Sequence, residues 1–532
     1  MSDKLSIIVE NIKLPSDSTD EDAIDRGISR LNASGLFGKV IDAGLYKRSV
    51  DARHKNDIKF VCSVLAVVET NRRPSDDKLA KFGFKVKSDD GVSFTPGTDT
   101  LSARPVIVGF GPAGMFASLY LAKHGYSPLV IERGDDVERR AAAVERFKQS
   151  GILDTDSNVQ FGAGGAGTFS DGKLMTRIGD PLVHSVLSHL VEMGAPDTVL
   201  KTARPHIGTD VLRRVVANFH KEIESLGGEI RYRSALTSIG DGYIEVNGEK
   251  LPCGALILAI GHSARDTYRY LYDSGYSMTV KPFSVGVRIE HLTADIDRAM
   301  YGDESLCEKL GHAEYNLSMR RGERGVYTFC MCPGGEVVSA ASEEGGVVTN
   351  GMSNHARDGM NSNSAVAVSV LPSDVGGDPM SAVSFQRSLE RRAFEAAGSD
   401  YFAPCQTVKG FLEGRADAPF GDIIPTYRGG KVRAADLNSV LPPFVTSMLK
   451  EGIVDFGKKI RGFDSAFAPL TGVESRTSSP VRILRGDDYS ALGYKNVYPC
   501  GEGAGYAGGI VSAAVDGIRV AGAVISRFKP LE

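Results

Sequence analysis

An α/β fold is predicted for this chain of 532 residues: a split parallel-sheet nucleotide-binding domain, an inserted α+β domain, and a small N-terminal α+β unit. Three observations carry that reading. RPVIVGFGPAGMFASLYLAKHGYSPLVIER (104–133) runs strand, glycine-rich turn, helix, strand, which is the Rossmann-like order. KNVYPCGEGAGYAGGIVSAAVDGIRVAGAVI (495–525) repeats the strand-to-helix pattern near the end of the chain. Between them, residues 281–469 lose the α/β rhythm and give irregular β segments with one helix around SFQRSLERRAFEAAG. The domains expected are therefore 1–95, 96–280, 281–469 and 470–532, the second and fourth forming one nucleotide-binding domain.

In chain order, LSIIVENIKL reads as a strand, DEDAIDRGISRL as a helix, and KVIDAGLYKRSV and DIKFVCSVLAVVE as further strands. This mixture in so few residues suggests a ferredoxin-like α+β unit. SDDGVSFTPGTDTLSA (88–103) is a linker by its glycine, proline and polar content. Helical patterns follow at DDVERRAAAVERFKQ, DPLVHSVLSHLVEMG and DVLRRVVANFHKEIESLG. After GEIRYRSALTSI comes a hairpin, YIEVNGEKLP, whose Asn247-Gly248 fits a type I′ turn. GALILAIG (254–261) is another buried strand.

Composition excludes several classes. Hydrophobic residues are 42% and charged residues 24%, ordinary for a globular protein. A net charge of -4 offers no overall attraction to nucleic acid or to an acidic membrane. No basic n-region with a long apolar core opens the chain, and no apolar run approaches a span. Seven cysteines, an odd number in a long chain, do not form a disulfide framework, so a reduced cytoplasmic protein is expected.

Gly109, Gly111 and Gly114 stand at GxGxxG spacing in the required strand–turn–helix context. Gly109 permits the tight turn, Gly111 lets the backbone approach a pyrophosphate, and Gly114 packs helix on strand. Pro112 and Ala113 open the helix, whose free N–H groups face the phosphates. Glu132, at the end of the next strand beside Arg133, would accept from ribose hydroxyls and repel a 2′-phosphate. NAD and FAD share this half-site. FAD is the longer, so extended FAD needs a second, remote loop at its ribityl and ring end. Gly501-Glu502-Gly503 and Gly508-Gly509-Ile510 look like that loop: Glu502 for a ribityl hydroxyl, the helix N-terminus for negative charge on the reduced ring.

These paired ends resemble the FAD-binding oxidoreductases of the glutathione reductase-like superfamily, whose C-terminal motif usually reads Gly-Asp where this chain has Gly-Glu. LAIGHSARDT (258–267), containing Gly261, resembles the motif that ends a middle strand there. A closer resemblance covers nearly the whole chain, to the family labelled uncharacterised FAD-dependent dehydrogenases. Its carriers are KRSVDARHKNDIKFV, VQFGAGGAGTFSDGKL, RPHIGTD, KPFSVGVRIEH, FCMCPGGEVVSAASEEGGVVTNGMS and GVESRTSSPVRI. The resemblance implies FAD and flavin redox chemistry. It also implies that the loop carrying Gly164, Gly165 and Ser170 lies beside the flavin ring.

Catalytic candidates are Lys173, to stabilise a flavin or substrate anion; His206, a proton donor or a hydrogen-bonded loop histidine; and Arg476, which with Arg482 would hold a carboxylate or pair with an acid such as Glu474. Cys330-Met331-Cys332 is CxC, and strand alternation would place both thiols on one face. With no further ligands at zinc spacing, no metal is expected, and buried structural thiols are the default. The basic cluster Lys47, Arg48, Arg53, His54 and Lys55 lacks the interleaved aromatics of a single-strand binder.

The expected function is an FAD-dependent oxidoreductase passing hydride between flavin N5 and a small organic substrate under the inserted domain. A flavin monooxygenase and a flavin-bearing RNA-associated protein are the alternatives. No second GxGxxG is read in a strand–helix frame for a nicotinamide, so NAD(P)H would dock transiently as electron donor, or the substrate would itself be the reductant.

Overall fold

The computed structural model describes residues 3–87, 92–176, 178–416 and 420–531. Residues 88–91 of the expected linker lie outside them. The N-terminal unit runs strand Asp3–Pro15, helix Asp20–Ser34, strands Val40–Asp51 and Lys59–Thr70, helix Asp76–Lys81, strand Phe84–Val86. All pairings are antiparallel, with Asp3–Pro15 and Lys59–Thr70 central in the sheet. KFVCSVLAVVET alternates strictly, so Phe60, Cys62, Val64, Ala66 and Val68 form one buried face of a sheet covered on that side. Thr19 and Asp22 close a capping box at the first helix, and Gly35 ends it with φ 63°. Two members of the basic cluster are ion-paired within the unit, Arg48 to Asp20 (2.8 Å) and Arg53 to Asp51 (2.5 Å).

The nucleotide-binding domain holds a five-stranded parallel sheet. Its order is Val497–Pro499, Leu256–Leu258, Val106–Val108, Leu129–Ile131, Glu229–Arg231. The four strands from Val497–Pro499 to Leu129–Ile131 are wholly buried, as parallel strands covered on both faces must be. Helix Pro112–Lys123 is buried from Ala113 to Ala122 because helix Ile510–Arg527 lies against its outer side. The approach is close: a Cβ on Gly517 would sit 2.2 Å from the Ala113 carbonyl oxygen. On the sheet side, a Cβ on Gly114 would sit 1.9 Å from the Gly109 carbonyl oxygen. The hairpin turn has positive φ at both Asn247 (50°) and Gly248 (87°), as a type I′ turn requires.

The inserted unit is built on a seven-stranded mixed sheet. Its central strands Phe283–Leu292 and Asn361–Val370 pair antiparallel along their whole length, and both are almost entirely buried. Strand Pro469–Glu474 lies between Phe283–Leu292 and Ala403–Thr407, so this sheet runs through the expected boundary at 469/470 and ends at Glu474. Just beyond it, Met278–Val280 and Val481–Ile483 pair antiparallel and tie the two connections of the insertion together. In strand Arg324–Cys332 the register slips between Phe329↔Ala365 and Cys332↔Asn363, and Cys330 has φ 45°. This bulge interrupts the regular alternation on which the expected placement of the two thiols rested.

A buried ionic cluster joins the two domains. Arg265, opening helix Arg265–Asp273, donates to both oxygens of Glu390 on helix Pro379–Ala396 (2.8 and 2.7 Å). Arg476 reaches the same carboxylate (3.0 and 2.9 Å), and Glu343 takes a further bond from Arg265 (2.6 Å). Among the described residues no helix is long and apolar enough to cross a membrane.

The helix crossing yields a direct prediction. Gly517→Ala drives a methyl into the Ala113 carbonyl and is expected to cost about 1–3 kcal/mol, read as a lowered denaturant midpoint at unchanged slope.

Candidate functional site: one cavity between two uncapped helices

A cavity of about 360 Å³ lies at the C-terminal ends of the parallel strands, where open α/β sheets hold ligands. The nucleotide-binding domain supplies most of its wall, and Phe329, Cys330, Asn350, Glu474, Arg476 and Thr477 come from the inserted unit and its edge.

At one end are Gly109, Gly111, Pro112 and Ala113. Gly109 takes φ 101°, open to glycine alone. A Cβ at Gly111 would meet only the Gly165 Cα, at 3.6 Å, and otherwise fill the cavity. Helix Pro112–Lys123 has no side-chain cap at Gly111, so its first amides stay free for a ligand. Gly114 does not line the cavity; it packs helix on strand, as its place in the fingerprint requires. Glu132 accepts from the Phe110 amide (2.8 Å) and from those of Gly134 and Gly162 (both 2.9 Å). A carboxylate offers about four acceptor sites, so about one remains for a ligand hydroxyl. Arg133 lines the wall, paired with Asp266 (2.7 Å) and lying over Phe161.

At the other end, Glu502, Gly508, Gly509 and Ile510 line the wall. Gly509 leaves helix Ile510–Arg527 without a side-chain cap, and a Cβ at Gly261, Gly508 or Gly509 would meet nothing within 4 Å. Gly501 and Gly503 instead hold the turn in place, Gly501 through a side chain of the following helix and Gly503 against the Gly261 backbone. The Gly501 amide donates to Asp516 (2.7 Å), which Arg485 grips (2.9 and 2.6 Å), and a Cβ on Gly503 would strike Gly261 at 2.5 Å. The Glu502 carboxyl has no hydrogen-bond or ion partner among the described residues. Burial pushes its pKa up to about 7, against a smaller pull from Lys281.

Gly165 and Ser170 of the second glycine-rich loop line the cavity, whereas Gly164 anchors the loop by donating to the Phe110 carbonyl (2.7 Å). Lys173 also lines it, with its ammonium held by Asp171 (2.9 Å) and Glu314 (3.0 Å). Burial opposes that charge, but the two carboxylates outweigh it and raise the pKa. Arg357 grips the same acids (2.5 and 2.8 Å), closing a cluster of two cations and two anions. Arg476 lines the wall in a buried ion pair with Glu390, and Glu474 is ion-paired with an arginine, Arg288, in place of Arg476 or Arg482. Arg482 caps the Gly505 carbonyl. His206 is not on the cavity wall. It stacks on His355 (5.2 Å), and burial, with Arg357 nearby, lowers it to about 4, leaving it neutral.

Several wall residues escape sequence reasoning. His262 sits inside LAIGHSARDT, and burial followed by Arg476 and Arg265 lowers it to about 3. Asp171, Glu314 and Arg357 come together from three distant segments, and only the fold reveals them as one cluster. Asp297, Cys307 and His312 bring three ligand-type atoms within 4.8 Å of one another. Asp297 already bonds His312 Nδ1 and the Ala313 amide (both 2.7 Å), which accounts for the grouping without an ion.

The donors present fit FAD: two free helix N-termini, glycines whose Cβ positions open into the cavity, and acceptors at Glu132 and Glu502. Residues 282–477 match the family described as FAD-dependent protein, C-terminal domain-like. An uncharacterized protein of Clostridium beijerinckii is 46% identical over 537 residues, spanning 98% of this chain and 99% of its own. The chain belongs to this FAD-dependent family. Its cofactor is FAD. Looser structural likenesses include CtdE in complex with FAD (13% identity, TM-score 0.32, 80% of this chain and 84% of that one) and glycine oxidase from Geobacillus kaustophilus (11%, 0.32, 81% and 97%). Overlaps this loose assign neither a reaction nor a substrate.

Glu502 gives a pH signature. Its folded pKa is raised to about 7 from an ordinary 4.5, so the folded state binds the extra proton and loses stability as pH climbs through that window. In FAD-free protein, Glu502→Gln should match the parent near pH 4 and exceed it above pH 7, by on the order of 3 kcal/mol, in denaturant midpoints taken at each pH.

Proposed function

We propose that this protein is an oxidoreductase that passes hydride between FAD and a small organic substrate held beneath the inserted unit. The observation that carries the reading is the single cavity onto which both uncapped helix N-termini and the unpartnered Glu502 open. Gly109, Gly111, Pro112 and Ala113 would hold the pyrophosphate, Glu132 a ribose hydroxyl and Glu502 a ribityl hydroxyl. Gly508, Gly509 and Ile510 would back the ring, with Gly165 and Ser170 against it. FAD supplies hydride acceptance and donation when bound.

The chain supplies the rest. The first amides of helix Ile510–Arg527 favour negative charge at the ring end. The Lys173–Asp171–Glu314–Arg357 cluster is neutral overall and stiff, so it fixes one wall without drawing anions strongly. His262, uncharged at neutral pH, is the wall group suited to hydrogen-bond a substrate. The inserted unit excludes water. The strand–glycine–helix pattern at both ends favours a place within the glutathione reductase-like superfamily. It also supports one FAD-binding domain from 96–280 and 470–532, an inserted substrate domain, and a ferredoxin-like unit over 1–95. No second fingerprint supports a resident nicotinamide, so NAD(P)H would dock transiently.

The test begins with purified protein denatured and filtered, its filtrate assayed for FAD. The native protein is then mixed anaerobically with NADH, NADPH and a panel of organic reductants. Bleaching by at least one organic two-electron donor is expected, and failure of all of them overturns the oxidoreductase reading. Gly111→Val fills the space meant for the pyrophosphate. Its cost of about 1–3 kcal/mol corresponds to roughly tenfold to hundredfold weaker FAD retention, measured as bound FAD per chain after dialysis.

A further inference from the structure

Cys330-Met331-Cys332 meets the cavity in a way that cofactor binding does not require. Strand Arg324–Cys332 reaches the wall at Phe329 and Cys330. There the bulge and a left-handed φ of 45°, uncommon for any residue but glycine, turn Cys330 out of the ladder. Cys332 stays fully buried behind it, and its thiol donates to the Cys330 carbonyl (3.3 Å). Arg288 donates to the same carbonyl (2.8 Å) and is fixed by two bonds to Glu474 (both 2.9 Å).

The neighbouring Cys332 thiol holds the Cys330 thiol below the usual thiol range. Burial opposes this, and Arg288 and Lys173 assist it; Cys332 is correspondingly raised. A cysteine that only fills space needs neither a left-handed backbone nor a place on a ligand cavity. Cys332 alone would meet the packing need. None of the seven cysteines is joined to another in the structure.

We propose that Cys330 and Cys332 form a redox-active dithiol that exchanges two electrons with FAD bound in this cavity, an inference that rests on the FAD-binding reading of the site. In the oxidising direction the Cys330 thiolate and the Cys332 sulfur join in one S–S bond as the Cys332 S–H bond breaks. The released proton and two electrons are taken up by oxidised FAD, and the reverse step returns the dithiol. Cys330, on the wall, is the sulfur that faces the cofactor, and Cys332 is its resolving partner.

The test is an anaerobic dithionite titration of FAD-loaded protein previously oxidised with ferricyanide. It is paired with alkylation under denaturing conditions and intact-mass analysis. The parent is expected to take up about four electron equivalents per FAD, one two-electron couple for the cofactor and one for the pair. Two fewer of the seven thiols should be alkylated before reduction than after it. Cys330→Ser and Cys332→Ser should each take up about two, and Cys62→Ser, in the N-terminal unit, should behave as the parent. Should Cys332→Ser fail to fold, Cys330→Ser and the alkylation count decide alone. Uptake of only two equivalents by the parent, with all seven thiols alkylated after oxidation, overturns the proposal while leaving FAD binding intact. Absence of FAD from the denatured protein overturns both.

Discussion

Helix Ile510–Arg527 crosses helix Pro112–Lys123 with almost nothing between them at Gly517 and Ala113, and the site follows from that contact. Each helix begins in a glycine turn at the end of a parallel strand, and neither start carries a capping side chain. Because the helices touch near their N-terminal ends, the two sets of free amides open on one cavity instead of two. Asp516, one residue before the crossing, accepts from the Gly501 amide and so locks the second turn to the helix that follows it. A ligand long enough to use both ends is thus specified by backbone geometry before any side chain contributes.

Charge is then distributed with unusual economy around this cavity. Lys173 and Arg357 offset Asp171 and Glu314; Arg265 and Arg476 offset Glu390 and Glu343; Arg288 offsets Glu474. Buried ions left without partners are costly, and these clusters remove that cost while stiffening the walls. Glu502 and Cys330 stand apart: one a carboxyl with no partner, the other a thiol favoured as its anion.

The sequence displays the nucleotide-binding elements plainly because their chemistry is local. Gly109, Gly111 and Gly114 announce themselves by spacing, and Asn247-Gly248 fixes a hairpin through two positive φ angles that any neighbour would tolerate. The wall of the cavity is less legible, because its groups are defined by partners far along the chain. Arg476 reads as a ligand for anions, yet Glu390, 86 residues earlier, claims it. His206 reads as a proton donor or a hydrogen-bonded loop histidine, and it is the latter, bonded to the His355 carbonyl and stacked on its ring. Gly164, Gly501 and Gly503 share the composition of ligand loops, but Gly164 and Gly503 meet other backbone and Gly501 donates to Asp516. The boundary at 469/470 falls inside Pro469–Glu474 because a central sheet strand and a domain junction can have the same apolar pattern. Cys330 misled for a subtler reason: alternation assumes a regular strand, and only the pairing partner, Ser364 with its neighbours, reveals the extra residue.

The shared carboxylate of Glu390 also governs how the cavity can be reached. To hinge the inserted unit away, Glu390 would have to release the Arg265 guanidinium of the nucleotide-binding domain, stranding buried charges at a cost of several kcal/mol. The roof is therefore bolted down, not sprung.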